Sequence, residues 1–394
     1  MRILAPFLFL GNLIAIVVIW VNGDHSNLFV SIGRLFGLLA FYLILWQLFL
    51  IGRIEWIEKV WGHDVLSRLH HKNGLVAWGL LGVHPILMLI GYGSLPLILS
   101  LRGITFALIG YGMFLIIVPI SFSVVRRRLP YQVWYLIHFL LYGAILLVFW
   151  HQLFNGSDLQ NPSVRLYWQA LFYFVLASVL YYRFAKPTII SLRQQCRVTK
   201  IERETHDVIS IYISGNLNVQ PGQFIIVRFL APDFWYEAHP FTVSGLPLRI
   251  TPKAVGDYTS KLPNLPIGTR VLIEGPLGRF MIDRAGNKPV LFIAGGIGVT
   301  PLRALFEKFH DAKFIYTARS DQDFALKDEL DVIGKVDYFT DRLTPEIIKS
   351  AVPDVARRFV YLCGPPPMMK AVIEMLTSLG VPRQAILYEK FELG

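Results

Sequence analysis

Charge and cysteine are both scarce in this 394-residue sequence. Charged residues make up 16% of it, against roughly 25% in an ordinary soluble domain. The two cysteines, Cys196 and Cys363, exclude a disulfide framework. Acidic residues are scarcest at one end: residues 1–187 hold 5 Asp and Glu against 13 Lys and Arg, whereas residues 188–394 hold 22 against 25. Apolar residues take the place of charge, at 54% of the chain, which excludes a purely soluble protein. The net charge of +11 does not point to nucleic acid, because the excess flanks apolar stretches instead of clustering on a soluble surface.

Six apolar stretches are long enough to cross a bilayer, which takes about 20 residues. They are Ile3–Val21, Leu28–Ile51, Leu75–Leu99, Ile104–Val125, Tyr131–Phe154 and Val164–Ala185. The first reads as a retained signal anchor, since no small-residue cleavage site follows it. With the N-terminus inside, Arg2, Arg53, Lys59, Arg68, Lys72, Arg126, Arg127, Arg128, Arg183 and Lys186 fall on the cytoplasmic side and only Arg102 and Arg165 on the other. That bias orients a multi-pass protein with both termini in the cytoplasm of a plasma membrane.

Ionisable groups within a bilayer are costly and point to function, and four histidines lie deep: His70, His84, His138 and His151. His70 and His84 are ~21 Å apart on one helix, and His138 and His151 ~20 Å apart on another, so the depths match in pairs. The ideal helical rotation between His138 and His151 is off by roughly 140°, which calls for an irregularity in that span. Opposed neutral imidazoles are what a six-coordinate haem iron requires on its axis. With no C-x-x-C-H run, any haem is held by coordination alone. His71 stands beside His70 as a second candidate for the inner position. Arg34, ~9 Å inside the outer end of its span, reads either as a snorkelling cation or as a cation for a propionate or an anion formed from the acceptor.

After Pro187 the pattern changes to short strands, Val208–Ser214, Gln223–Phe229, Arg249–Thr251 and Val271–Glu274, which suggests a small antiparallel barrel. Within it lie His239-Pro240-Phe241-Thr242 and a run from Lys253 to Gly256-Asp257-Tyr258-Thr259. From Val290 the pattern is strand, then Gly295-Gly296-Ile297-Gly298-Val299-Thr300-Pro301, then helix. Glycines there let backbone N–H groups approach a pyrophosphate at a helix N-terminus. Arg319, after the next strand, suits a 2′-phosphate and so leans towards NADPH, with NADH still open. Cys363-Gly364-Pro365 ends a later apolar strand, where open α/β sheets bind ligands.

Together these residues resemble the ferric-reductase and NADPH-oxidase superfamily over nearly the whole chain. The membrane half is similar in Gly33-Arg34-x-x-Gly37, Leu69-His70-x-x-x-Gly74, His84-Pro85 and Tyr131-x-x-Trp134-x-x-x-His138 through His151-Gln152. The soluble half is similar in HPFT, GDYT, GGIGVTP, CGPPPM and the terminal EKF. The resemblance implies a six-helix, all-α membrane bundle (1–187), an antiparallel β-barrel FAD domain (188–286) and an α/β NAD(P)H domain (287–394). It implies two b-type haems on His70/His138 and His84/His151, with FAD on His239–Thr242 and Gly256–Thr259. NADPH is implied on Gly295–Pro301, Arg319 and Cys363–Pro365, with Cys363 beside the nicotinamide and Phe391 stacked on the flavin. The implied activity is electron transfer to an external acceptor, with oxygen favoured and ferric chelate or quinone as alternatives. No obligatory protein partner beyond membrane lipid is expected. A competing class is a transporter or receptor with a nucleotide-sensing domain, its histidines serving as proton relays.

Overall fold

The computed structural model describes residues 4–389 apart from 127, 130, 279, 281–283 and 310. It divides into two compact units, Met1–Phe184 and Ala185–Gly394.

The first unit is helical: α1 (Leu4–Val21), α2 (Leu28–Ile51), α3 (Glu55–Trp61), α4 (His63–Tyr92), α5 (Leu95–Ser100), α6 (Ile104–Ile120), α7 (Ser123–Arg126), α8 (Tyr131–Phe139), α9 (Leu141–Asn155) and α10 (Pro162–Leu180). The helix boundaries follow from short polar signals. Asn27 caps α2 by accepting from the Val30 N–H at 3.1 Å, and Asn161 caps α10, whose first residue is Pro162. Gly93, left-handed at φ +67°, closes α4, so the third apolar stretch starts earlier and ends earlier than the expected Leu75–Leu99.

Among the described residues, five helices are long and apolar enough to cross a membrane: Leu4–Val21, Leu28–Ile51, Val65–Tyr92, Val133–Asn155 and Pro162–Gln194. The expected sixth, α6, falls just short of that length at 17 residues, with Pro119 near its end removing a backbone donor. The fifth apolar stretch is interrupted at Leu140, whose N–H turns back to Ile137 at 3.1 Å in a tighter, three-residue step. The irregularity demanded by the His138–His151 phase is therefore present. Outward residues such as Phe7, Ile116, Leu136 and Leu166 are exposed and apolar, while Phe41, Phe149, Trp168 and Phe172 stack in the interior, Phe149 on Phe172 at 3.8 Å.

The second unit opens with α11 (Lys186–Gln194). It continues with β1 (Val198–Arg203), β2 (Ile209–Ile213), β3 (Phe224–Phe229), β4 (His239–Gly245), β5 (Arg249–Ile250), α12 (Asp257–Lys261) and β6 (Val271–Leu277). These strands form one antiparallel sheet in the order β1-β2-β5-β4-β3-β6. No continuous ladder closes this sheet into the expected barrel; its edges β1 and β6 meet at the Arg197–Arg270 bridge and through the bonds from Val198 N–H to Thr269 and from Val271 N–H to Cys196, both 2.9 Å.

Then follow β7 (Val290–Gly295), α13 (Val299–Phe306), β8 (Lys313–Thr317), α14 (Lys327–Ile333), β9 (Val336–Phe339), α15 (Pro345–Ala351), β10 (Phe359–Cys363), α16 (Pro366–Ser378) and β11 (Ile386–Glu389). The strands are parallel in the order β11-β10-β7-β8-β9. Near-continuous burial of β7 and β10 fits a sheet covered on both faces.

One ion-pair network ties the two sheets of this unit together. Arg249, 4% exposed, donates from Nη2 to Glu329 at 2.8 Å and from Nε to Ser244 at 3.1 Å. Arg303 reaches the same Glu329 carboxylate at 2.8 Å. Burial works against the Glu329 carboxylate, but the two guanidiniums outweigh it and hold the group below the usual carboxylate range. Its contribution is therefore complete above the unfolded value of ~4.3 and is lost as pH falls through the lower folded value. Replacing Glu329 with Gln is expected to cost about 3 kcal/mol, since Arg249 is left buried and unpaired. It should also flatten the loss of thermal stability below pH 4, followed by tryptophan fluorescence; equal acid dependence in variant and parent would refute this role.

Candidate functional site

The membrane unit places its four deep imidazoles against a common kind of support. α2 and α4 pack along their lengths, and α4 turns its polar side chains to the main chain of α2. His84 Nδ1 lies 2.7 Å from the Gly33 carbonyl and His70 Nδ1 3.3 Å from that of Gln47. Between them Asn73 donates to Leu43 at 2.7 Å. A Cβ on Gly37 would sit 3.0 Å from the His84 ring, so glycine is what lets the imidazole lie against α2. Across from α4, His138 Nδ1 is 3.0 Å from the Ser121 hydroxyl, and His151 Nδ1 is 3.2 Å from the Asn155 amide.

For His70 and His84 the partner of Nδ1 is a carbonyl and for His138 a hydroxyl, which leaves Nε2 as the nitrogen available to a metal; at His151 the partner is the Asn155 amide nitrogen, which can only donate to Nδ1. Metal-binding histidines are ordinarily held in this way, through the other ring nitrogen. The His70 and His138 ring centres are 6.3 Å apart with planes at 67°. Two imidazoles bonded to one iron at ~2 Å per metal–nitrogen bond stand about 6 Å apart between centres, counting one ring radius on each side. The inner pair fits a bis-imidazole haem. His71 is exposed and turned away, whereas His70 faces His138.

Arg34 is not a free cation. It donates to Ser157 and to the Asp24 carbonyl, and its guanidinium lies 3.5 Å from the Asp158 carboxylate, whose side chain is 2% exposed. Arg34 thus ties α2 to the Ser157–Gln160 turn, and any anion there would compete with Asp158. Burial pushes the Asp158 carboxyl up, against the pull of Arg34.

In the antiparallel sheet, β4 carries His239-Pro240-Phe241-Thr242. Glu237 lies 2.7 Å from His239 Nε2, and the His239 ring lies 3.9 Å from that of Tyr258. The Thr242 and Tyr258 hydroxyls are buried and have no hydrogen-bond partner among the described residues. Leaving each unpaired costs about 1–3 kcal/mol, so the pair fits a polar ligand such as a flavin. Burial pushes the Tyr258 phenol up, which keeps it a donor. Beside it, Thr259 Oγ1 accepts from the Val255 and Gly256 N–H groups at 3.0 and 3.2 Å, and the space over Gly256 is open. Lys253 is engaged with Asp207 at 3.0 Å, and Asp257 is exposed.

In the parallel sheet the chain steps from β7 to β8 on one side while β10 lies on the other, so the strand order reverses between β7 and β10. Ligands bind at such a switch point, and both expected loops meet there. A Cβ on Gly298 would lie 2.2 Å from the Cys363 carbonyl, and one on Gly295 2.1 Å from Met368 Sδ. Gly296, at φ +52° with open space above it, is left to face a ligand before the buried Thr300 and Pro301 at the start of α13. Gly364 packs on Gly295 while Pro365 is exposed. Arg319 is exposed just past the end of β8, on the side of the Gly296 loop. Phe391 lies outside the described residues.

The family model described as "Ferric reductase like transmembrane component" matches residues 36–149. That stretch holds His70, His84 and His138 and stops two residues short of His151. The reductase component of propane 2-monooxygenase from Rhodococcus jostii (strain RHA1) is 28% identical over 236 residues, 50% of this chain and 62% of that protein. A probable dihydroorotate dehydrogenase B (NAD(+)) electron transfer subunit from Thermococcus kodakarensis is 33% identical over 206 residues, 48% of this chain and 82% of that protein. Together these matches give the architecture of the ferric-reductase and NADPH-oxidase superfamily, a ferric-reductase-like membrane component joined to an electron-transfer reductase unit. Among solved structures, the ferredoxin reductase in carbazole 1,9a-dioxygenase aligns at 23% identity with a TM-score of 0.44, covering 50% of this chain and 68% of that one. The chain spans less than two-thirds of the length of the Rhodococcus reductase.

Sequence reasoning did not reach Ser121, Asn155, Glu237 or the Arg249–Glu329–Arg303 network. Asn155 stands one helical turn after His151 and Glu237 two residues before His239, which are usable signals. Nothing local marks Ser121.

Cys363 is fully buried, its Sγ 3.7 Å from the Glu389 carbonyl, and burial with the nearby Glu389 carboxylate pushes the thiol well up. Cys196 is buried too, with its thiol raised by the same cause. A maleimide is therefore expected to label neither cysteine in the folded protein and both in denaturant, counted by mass. Fast labelling of Cys363 would show that the end of β10 opens.

Proposed function

We propose that this chain moves electrons from cytoplasmic NADPH, by way of FAD and two b-type haems, to an acceptor beyond the membrane, with oxygen reduced to superoxide. The observation that carries the reading is the paired imidazoles, each engaged through Nδ1, with His70 and His138 at 6.3 Å. When bound, FAD would convert the two-electron hydride of NADPH into single electrons, and haems would carry these one at a time.

Residues 1–187 act as the di-haem domain, 188–286 as the FAD domain and 287–394 as the NAD(P)H domain. α6, at 17 residues and about 26 Å, is taken as a sixth crossing. Both termini then lie in the cytoplasm of a plasma-membrane protein. His70 and His138 hold the inner iron; His84 and His151 hold the outer. The main-chain carbonyls of Gln47 and Gly33 keep the protons of His70 and His84 on Nδ1, so that Nε2 offers its lone pair.

The Thr242 and Tyr258 hydroxyls orient the flavin, with Pro240 and Phe241 fixing the strand beneath it and His239 held in place by Glu237. The open face of Gly256, whose N–H is held by Thr259, lies with Lys253 and Asp257 toward its phosphates. Gly295, Gly296 and Gly298 bring backbone N–H groups to the NADPH pyrophosphate, with Thr300 and Pro301 opening α13 behind them. Arg319 meets the 2′-phosphate, and Cys363, Gly364 and Pro365 line the nicotinamide. Phe391 is assigned the flavin-stacking position.

The description "Ferric reductase like transmembrane component" favours a second reading, reduction of ferric chelates over the same path. The engagement of Arg34 with Asp158 removes a free cation from the outer side, so Arg34 is assigned to hold that turn and not to bind superoxide directly.

Purified protein expressed with haem supplied is expected to show a Soret band and two haems per chain. His138→Ala should lose one of them and external reduction with it; full haem content with unimpaired turnover would refute the ligand assignment, and no Soret band in the parent would favour the transporter or receptor class. Superoxide-dismutase-sensitive cytochrome c reduction, measured with and without ferric chelates, separates the acceptors. Gly298→Ala forces a Cβ against the Cys363 carbonyl and should weaken NADPH binding at least about tenfold, ~1.4 kcal/mol, while FAD content stays; unchanged affinity would remove this loop from the site.

A further inference from the structure

The four deep imidazoles differ in what holds Nδ1. For His70 and His84 it is a main-chain carbonyl, which can only accept, so the proton on Nδ1 is fixed. For His138 it is a hydroxyl, which can accept or donate, so something else must decide. Ser121 sits at the end of α6 as its C-terminal cap residue, and its Oγ has three neighbours. The Trp134 Nε1–H is 3.1 Å away, the Ile117 carbonyl 3.4 Å, and His138 Nδ1 3.0 Å.

An indole N–H can only donate, so it occupies one lone pair of the hydroxyl; the Ile117 carbonyl can only accept, and with the Ser121 N–H turned to Val118 the hydroxyl proton is the donor in reach of it. What remains is one lone pair, directed at His138 Nδ1. The hydroxyl therefore accepts from His138, and Nε2 is left unprotonated and ready to bind a metal.

We propose that Ser121 is a positioning residue for the inner haem, holding His138 in the Nδ1–H form and setting how strongly its Nε2 donates to iron. The inference rests on the haem reading above. The indole that shares the Ser121 oxygen has two further contacts: its ring stacks beside His138, centres 5.3 Å apart at 29°, and the Arg126 guanidinium lies over it at 4.6 Å. A cation over an indole draws on its π density and makes the N–H a stronger donor. Trp134 thus weakens Ser121 as an acceptor, and Ser121 in turn supports the basicity of His138. The two act with opposite sign on the same imidazole.

The sign of each effect on the iron follows. An acceptor on Nδ1–H makes the imidazole more basic and favours the ferric state, lowering the reduction potential. Removing Ser121 Oγ raises it; removing the indole N–H while keeping an aromatic ring lowers it. A hydroxyl that merely ended α6 would move neither potential, because the helix cap uses the Ser121 main chain.

The test is a redox titration of the full-length, haem-loaded protein, followed in the haem α-band, with haem stoichiometry and low-spin electron paramagnetic resonance of the ferric form. In Ser121→Ala the potential of one haem is expected to rise, shifting the equilibrium between the two haems by up to about tenfold, ~59 mV for one electron, while the other stays. Ser121→Thr should restore it, and Trp134→Phe should move the same haem the opposite way. If Ser121→Ala loses one haem outright, retention of both by Ser121→Thr supports the assignment, and loss in both variants overturns it as a packing effect. Two haems with unshifted potentials in Ser121→Ala overturn it as well, as do shifts of like sign in Ser121→Ala and Trp134→Phe. Absence of haem from the parent protein would defeat the haem reading instead, and is distinguished by stoichiometry before any titration.

Discussion

A neutral imidazole carries one proton and two nitrogens, and within a bilayer it cannot leave either unattended. The membrane unit is organised by that constraint. α4 lies against α2 closely enough for His84 and His70 to reach the α2 main chain, which is possible because Gly33 and Gly37 keep that face of α2 bare. On the other side His138 and His151 find side chains at the end of α6 and within α9. Helix packing, the small residues and the capping hydroxyl are arranged around the Nδ1 atoms of these imidazoles.

The soluble unit solves a complementary problem with backbone. Where the membrane unit presents side-chain nitrogens, the β7–β10 junction presents bare main chain. Gly295, Gly298 and Gly364 are packed so closely that no Cβ fits without movement, whereas Gly296 faces open space. The close-packed glycines hold the loop shape, and the open one supplies the approach. The neighbouring antiparallel sheet keeps two buried hydroxyls, of Thr242 and Tyr258, without protein partners, an arrangement that is costly unless a ligand completes it. The Arg249–Glu329–Arg303 network holds these two sheets together as one unit.

Much of this was legible in the sequence, because its strongest signals are periodic or local. Apolar runs located the helices, and the G-G-x-G run between a strand and a helix located the switch point. The matched depths of His70 with His138 and of His84 with His151 followed from helical rise alone, and the phase mismatch between His138 and His151 anticipated the interruption at Leu140. Properties set by long-range contact were not legible. That the edges β1 and β6 meet around Arg197 and Arg270, and that Arg34 is claimed by Asp158, 124 positions away in sequence, depend on residues that no local pattern connects. Ser121 belongs to the same class: a serine at a helix end is ordinary until the fold brings an imidazole to it.

The interruption at Leu140 has a mechanical consequence. An unbroken helix transmits twist: any change in winding at one end rotates every side chain beyond it. Because α8 and α9 meet at a tightened, three-residue step at Leu140, the winding between His138 and His151 is interrupted. Drift in the register at one depth therefore need not misalign the other, and the two levels can be adjusted one at a time.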